Sequence, residues 1–156
     1  MSCDCTSVAP PIPHDARQSL NLAAAATGTG IYEKYGPRIG WDQLRQILED
    51  RTCTRYPCEI VFDAGPLEAG EFAHPVEKGD RPEDGFSMYV HPLFMTQLEK
   101  VSLLVLYQLV VVNYGAFAAA EDAETFGAAA LGLSQDEYYQ ILCGLADELQ
   151  VKTVPG

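Results

Sequence analysis

Apolar residues recur at helical spacing in five segments of the chain, which predicts a mostly helical protein. The predicted helices cover about residues 16–27, 41–51, 95–113, 116–131 and 135–150. Asp15 is placed to cap the first helix and Gly28 to end it, with a Gly- and Pro-rich loop over residues 28–40. Ser134 and Glu137 form a capping box at the start of the last helix.

Between the second and third helices the pattern changes to short runs of β-branched and aromatic residues. The runs cover residues 59–63, 72–76 and 86–91. Turn-forming residues over 78–85 separate the last two runs, as in a hairpin. We therefore predict an α+β fold, a mostly helical single domain with a small three-stranded antiparallel sheet. It would occupy residues 15–156, after an extended N-terminal arm over residues 1–14.

The longest apolar tract, residues 101–120, predicts a long buried helix. Its length would suit a membrane span, which needs about 20 apolar residues. Polar residues interrupt it, however, acidic residues follow it, and no basic cluster flanks it. We expect the core helix of a soluble protein and no membrane partner.

The same helix leads us to expect a homo-oligomer. Between residues 101 and 112 only Ser102 and Gln108 are polar, and at 100° per residue they lie about 120° apart around the helix. Because no continuous solvent-facing stripe remains, the helix must be covered on all sides. The cover comes either from the chain's own elements or, in part, from a second subunit across a two-fold axis. We favour the second alternative, a homodimer or larger assembly.

The excess of acidic residues argues against nucleic acids and anionic membranes as partners. The 156 residues include 10 Lys+Arg and 22 Asp+Glu, which gives a net charge of −12 and a pI near 4.4. Phosphate backbones and anionic membrane surfaces are bound by clustered cations, which this chain lacks. We expect the acidic residues of 121–124 and 147–148 to face solvent.

The first residues and the cysteine count favour a reducing compartment. Residues 1–13 contain no basic region followed by an apolar one, so we predict no secretory signal. Five cysteines are an odd number and cannot form a complete intramolecular disulfide set. We expect a cytoplasmic protein with reduced thiols.

Two pairs of cysteines are the candidate metal ligands. Cys3 and Cys5 form a C-x-C pair in the arm, and Cys53 and Cys58 form a C-x₄-C pair between the second helix and the first strand. Four thiolates suit zinc or an iron–sulfur cluster. Neither pair has the C-x₂-C spacing common in zinc sites, so packing is the alternative role for Cys53 and Cys58.

His74 and His91 lie in or beside predicted strands, each before a proline. Strand alternation places His74 on the face of Phe72, directed into the core, and His91 on the opposite face. In that arrangement the two imidazoles cannot share a ligand, and we assign neither a role. If a pocket exists between the sheet and the helices, its polar groups would be His74, His91, Glu71 and Tyr89.

Residues 128–141 are similar in spacing to the core of a helix-turn-helix, with Gly132 at the turn. The positions that would read DNA include Asp136 and Glu137 and no cation, so phosphates would be repelled. We interpret the segment as a tight turn between two helices and predict no nucleic-acid partner.

No segment carries a catalytic signature, so the sequence leaves enzymatic activity open. We favour a non-catalytic binding or assembly protein that associates with itself or with another protein. The first alternative is a small metal-binding or redox protein that uses the N-proximal cysteines. The second is an enzyme or small-molecule binder with a pocket between the sheet and the helices.

Overall fold

Five α-helices and one three-stranded sheet make up residues 14–153, the part of the chain that the computed structural model describes. The helices are α1 (His14–Tyr35), α2 (Trp41–Glu49), α3 (Leu98–Tyr114), α4 (Ala120–Leu131) and α5 (Gln135–Thr153). The strands are β1 (Cys58–Phe62), β2 (Ala73–Glu77) and β3 (Phe86–Val90). The predicted α+β class, the long apolar helix and the three-stranded sheet are confirmed.

Helix α1 is longer than predicted, because Gly28 does not end it. The helix continues to Tyr35 and runs beside α4 in the same direction, with Asn21 bonded to Asp122 and Tyr32 against Gly132. A Cβ on Gly28 would lie 2.5 Å from the carbonyl oxygen of Phe126. The glycine therefore permits close approach of two helices and is not a C-cap. Helix α1 also begins at His14, inside the predicted arm, and residues 1–13 lie outside the described part of the chain.

The sheet is mixed, which corrects the prediction that it is antiparallel throughout. Its strand order is β1-β3-β2, in which β2 and β3 form the expected antiparallel hairpin while β1 pairs with β3 in parallel. The connection over residues 63–72 carries the chain past the central position to the far edge. Strand β3 then returns between the other two, an order that local patterning does not encode.

Strand β2 has the opposite facing from the one predicted. In β3, Met88 and Val90 are buried, and their partners in β2 are Pro75 and Ala73. These residues face the core, so His74 lies on the outer face of the sheet, beside Tyr89. The prediction took Phe72 and Val76 as the core-facing set, whereas Ala73 and Pro75 are buried, so each side chain of the strand lies on the face opposite to the predicted one.

Helix α3 lies at the centre of the core, in contact with α2, α4, β2 and β3. Its polar residues bond within the protomer. Ser102 Oγ donates to the Ile39 carbonyl at 2.6 Å, and Asn113 joins the Cys53 carbonyl to the Arg55 N–H. By length and composition Leu98–Phe117 could cross a membrane, but half of its most apolar window is buried in this fold. Every apolar residue of α3 is buried or half-buried, so the structure neither requires nor excludes cover from a second copy, and the expected homo-oligomer stays a prediction.

Asp122 is fully buried, although we expected it to face solvent. It lies in the first turn of α4, where its carboxylate accepts a hydrogen bond from the Ala119 N–H at 2.8 Å. The same carboxylate accepts from Asn21 at 2.9 Å and pairs with Arg17 of α1. A buried carboxylate with several charge-assisted partners is stable where a lone one would not be. Asp122 therefore ties the N-terminal half of α1 to the start of α4.

Candidate functional site

The structure places Cys53 and Cys58 beside different clefts. Cys53 is buried and borders a cleft with Thr27 and Tyr114, whereas Cys58 is half-buried at the start of β1 and borders a cleft with Trp41. Burial raises the pKa of the Cys53 thiol, and it raises that of Cys58 to about 12. Both are therefore protonated thiols at neutral pH, a form that is a poor nucleophile.

Cys3 and Cys5 lie outside the described residues, so the four-thiolate metal site stays a prediction. Within residues 14–153 no three His, Cys, Asp or Glu side chains converge as metal ligands would.

The two histidines make separate contacts. On the outer face of the sheet, His74 Nδ1 lies 3.5 Å from Glu71 Oε2. His91 follows β3, and its Nδ1 accepts a hydrogen bond from the Leu93 N–H at 3.1 Å, which caps the 3₁₀ turn over Pro92–Thr96. Since Nδ1 of His91 is an acceptor, the proton of the neutral ring is assigned to Nε2.

A cleft of about 620 Å³ lies between the β1–β2 connection, residues 63–72, and the C-terminal half of α5. Its polar lining residues are Glu68, Glu71, His91 and Gln150. Of the four polar residues proposed for a pocket, the cleft brings together Glu71 and His91, while His74 and Tyr89 face the outer side of the sheet.

Gln150 could not be predicted as part of this cleft, since nothing local indicates that α5 lies beside the β1–β2 connection. Glu71 lines the cleft, and its carboxylate is held in place by two neighbours. Its Oε1 accepts the Glu68 N–H at 2.9 Å, and its Oε2 faces His74. The cleft therefore combines two acidic residues and the His91 imidazole with apolar walls.

The outward face of α1 is an exposed surface with few polar groups. Leu22 on this face is 70% exposed, and residues 18–32 contain no charged side chain. A Cβ on Gly30 would meet no atom within 4 Å, so this helical glycine borders open space. We call this surface the α1 face; its exposed residues are Ser19, Leu22, Ala23, Ala26, Thr29, Gly30 and Glu33.

The helix-turn-helix-like segment is a tight connection between α4 and α5. Gly132 adopts φ of 70°, in the left-handed region, and the Leu133 N–H bonds to the Ala128 carbonyl at 2.9 Å, which closes the turn. Asp136 and Glu137 are exposed at the start of α5. The charge argument against nucleic-acid binding is unchanged and stays a prediction.

Comparisons with protein-family models, curated proteins and solved structures give no match to this chain. The proposals below therefore rest on the described residues and on physical argument.

Proposed function

We propose that this is a non-catalytic assembly protein, in which two copies associate through the α1 face. The observation that carries the proposal is Leu22, a large apolar side chain with 70% of its surface exposed. A single exposed leucine is ordinary on a protein surface. Here it lies within residues 18–32, a stretch of α1 without a charged side chain, and contiguous apolar surfaces mark interaction sites.

The net charge supports the same location. Each copy carries a charge of −12, so two copies repel unless they meet where charge is absent. Residues 18–32 of α1 form such a stretch on the surface. The longer uncharged stretch, residues 101–120, belongs mostly to helix α3, whose apolar residues are buried or half-buried and so offer less exposed surface than Leu22.

The shape of the α1 face is self-complementary. Leu22 and Gly30 each lie four residues from Ala26, on one ridge of the helix. In an antiparallel pair centred on Ala26, Leu22 of each copy stands over Gly30 of the other. The space above Gly30 is open in the protomer, and a glycine in a helix interior costs about 1 kcal/mol relative to alanine. Among residues 14–153 no close contact accounts for that glycine, whereas a leucine packed over it would.

The expected interface is small. From Ser19 to Glu33 the face is about 21 Å long at about 1.5 Å per residue. An interface of one helix pair falls at the small end of the observed range, where association is weak and reversible. We therefore expect a dimer with a dissociation constant in the micromolar range, closed by a two-fold axis.

The first test is native mass against concentration, by light scattering and sedimentation equilibrium from about 1 to 200 µM. Leu22→Asp adds a charge to the face and should leave a monomer throughout, with unchanged thermal stability because the side chain is exposed. Gln140→Asp adds the same charge at an exposed position of α5 and should associate as the unmodified protein does. An unmodified protein that stays monomeric at 200 µM would contradict the proposal.

A second pair of variants tests the packing at Gly30. Gly30→Leu fills the hollow, and overpacking two such sites in each dimer should weaken association by about tenfold or more. Gly144→Leu places the same side chain at a helical glycine of α5 that also borders open space. Its dissociation constant should not change. If Gly30→Leu strengthens association, contact between the copies is non-specific and the antiparallel arrangement is wrong.

A further inference from the structure

The cleft beside α5 has the size and lining of a small-molecule site. Its volume of about 620 Å³ lies within the usual range for such sites, roughly 300–1,000 Å³. Half of its lining is apolar, from both sides of the cleft. These residues are Ala64, Leu67 and Ala69 of the connection and Ala146 and Leu149 of α5.

The wall formed by residues 63–72 is built from tight local turns. The Gly65 N–H bonds to the Asp63 carboxylate at 2.8 Å, and the Leu67 N–H bonds to the Ala64 carbonyl at 3.0 Å. A third turn is closed twice near Glu71, whose N–H and carboxylate both bond to the backbone of Glu68. A wall held in this way is pre-organised, which reduces the entropy lost when a ligand binds.

The polar groups of the cleft favour a cationic ligand. The acidic residues Glu68, which is exposed, and Glu71, which is half-buried, both line it, while no Lys or Arg does. The charge of −12 on the whole chain adds a negative potential that attracts cations and repels anions.

Two further groups remain available to a ligand. Within the described part of the chain, the His91 Nε2–H and the Gln150 side-chain amide make no hydrogen bond. Both can therefore bond to a polar substituent of a bound molecule. From the apolar walls and the carboxylates together, we infer that this cleft binds a small organic cation, an amine carried on an apolar body.

The experiment compares three probes of equal chain length: n-hexylamine, 1-hexanol and hexanoate. At pH 7 the first is a cation, the second is neutral and the third is an anion. Binding is followed by calorimetry and by NMR shifts of the α5 and 63–72 amides. We expect hexylamine to bind at least tenfold more tightly than hexanol, and hexanoate not to bind.

Two variants locate the site. Ala146→Phe fills the cleft and should abolish hexylamine binding, with circular dichroism to verify the fold. Glu71→Gln should lower the affinity for hexylamine towards that for hexanol. Glu83→Gln removes the same charge at an exposed position outside the cleft and should keep at least half of the affinity.

Three results would overturn the inference. Equal affinity for hexylamine and hexanol would show a merely apolar cleft, and binding of hexanoate would contradict its charge preference. Unchanged binding in both Ala146→Phe and Glu71→Gln would place the amine elsewhere. Repeating the titration on Leu22→Asp separates this inference from self-association, since the cleft and the α1 face share no residue and the affinity should be unchanged.

Discussion

Gly127 is the position at which one added methyl group should damage this fold most clearly. It lies on α4 against the ring of Tyr138 in α5, and a Cβ there would come within 2.2 Å of Cε2 and 2.6 Å of the hydroxyl oxygen. The ring is fully buried, and its hydroxyl donates a 2.7 Å hydrogen bond to the Leu103 carbonyl in α3. The ring therefore cannot withdraw without breaking that bond or displacing α5 from α4.

The size of the effect follows from three contributions. Replacing a helical glycine with alanine gains about 1 kcal/mol of helix propensity. Against this, overpacking a core costs about 1–3 kcal/mol, and a buried polar group left unpaired costs about 1–3 kcal/mol. We expect Gly127→Ala to lose about 1–5 kcal/mol of unfolding free energy, or roughly 2–20 °C in Tm for a domain of this size.

The assay is urea and thermal unfolding followed by circular dichroism, with Gly144→Ala as the matched control. A Cβ on Gly144 meets nothing within 4 Å, so that variant should be up to about 1 kcal/mol more stable than the unmodified protein. Combining Gly127→Ala with Tyr138→Leu should relieve most of the loss attributable to the methyl group. If Gly127→Ala is as stable as the unmodified protein, or Gly144→Ala is equally damaged, the described packing of α4 on α5 is wrong.

Two other predictions concern buried charge and metal. Asp122→Ala should cost about 3 kcal/mol in urea unfolding, because it leaves Arg17 and the Ala119 N–H without their acceptor and removes one of the two acceptors of Asn21. Asp147→Ala, at an exposed position, should cost less than about 0.5 kcal/mol. If the four cysteines bind metal, elemental analysis after anaerobic purification should find about one zinc, or iron with visible absorption, and Cys58→Ser should remove it. A metal-free protein would end that hypothesis.

The helices could be predicted because each has a face that must be buried, so its apolar residues recur along the sequence with the helical period. The three strands could also be located in the sequence, but their order in the sheet could not. Two runs separated by a turn indicate a hairpin, as β2 and β3 form, whereas nothing local indicates that β3 lies between β1 and β2. His74 illustrates the same limit on a smaller scale. Its neighbours Ala73 and Pro75 and the alternate residues Phe72 and Val76 are all apolar, and only the pairing with β3 shows which set faces the core.

The glycines show why a residue type alone does not identify a structural role. Gly28 and Gly132 both follow apolar helical segments, and both were predicted to end a helix. Only Gly132 does, with its positive φ, whereas Gly28 lies inside α1 against the backbone of α4. The difference depends on the neighbouring helix, which becomes visible only when α1 and α4 are placed side by side.

The helix that we propose for self-association is α1, whereas the sequence alone favours α3, and the reason for the difference is also physical. Composition singles out α3, the most apolar helix, but Ser102 and Asn113 bond to carbonyls of this chain, and every apolar residue of the helix is buried or half-buried. Helix α1 is far less apolar and attracts little attention in the sequence. Once α4 covers one side of it, the other side presents Leu22 and an open hollow at Gly30 without a charged group between them. An interface is defined by apolar surface that the fold leaves uncovered rather than by apolar content, and on this criterion α1 is the helix that a second copy should cover.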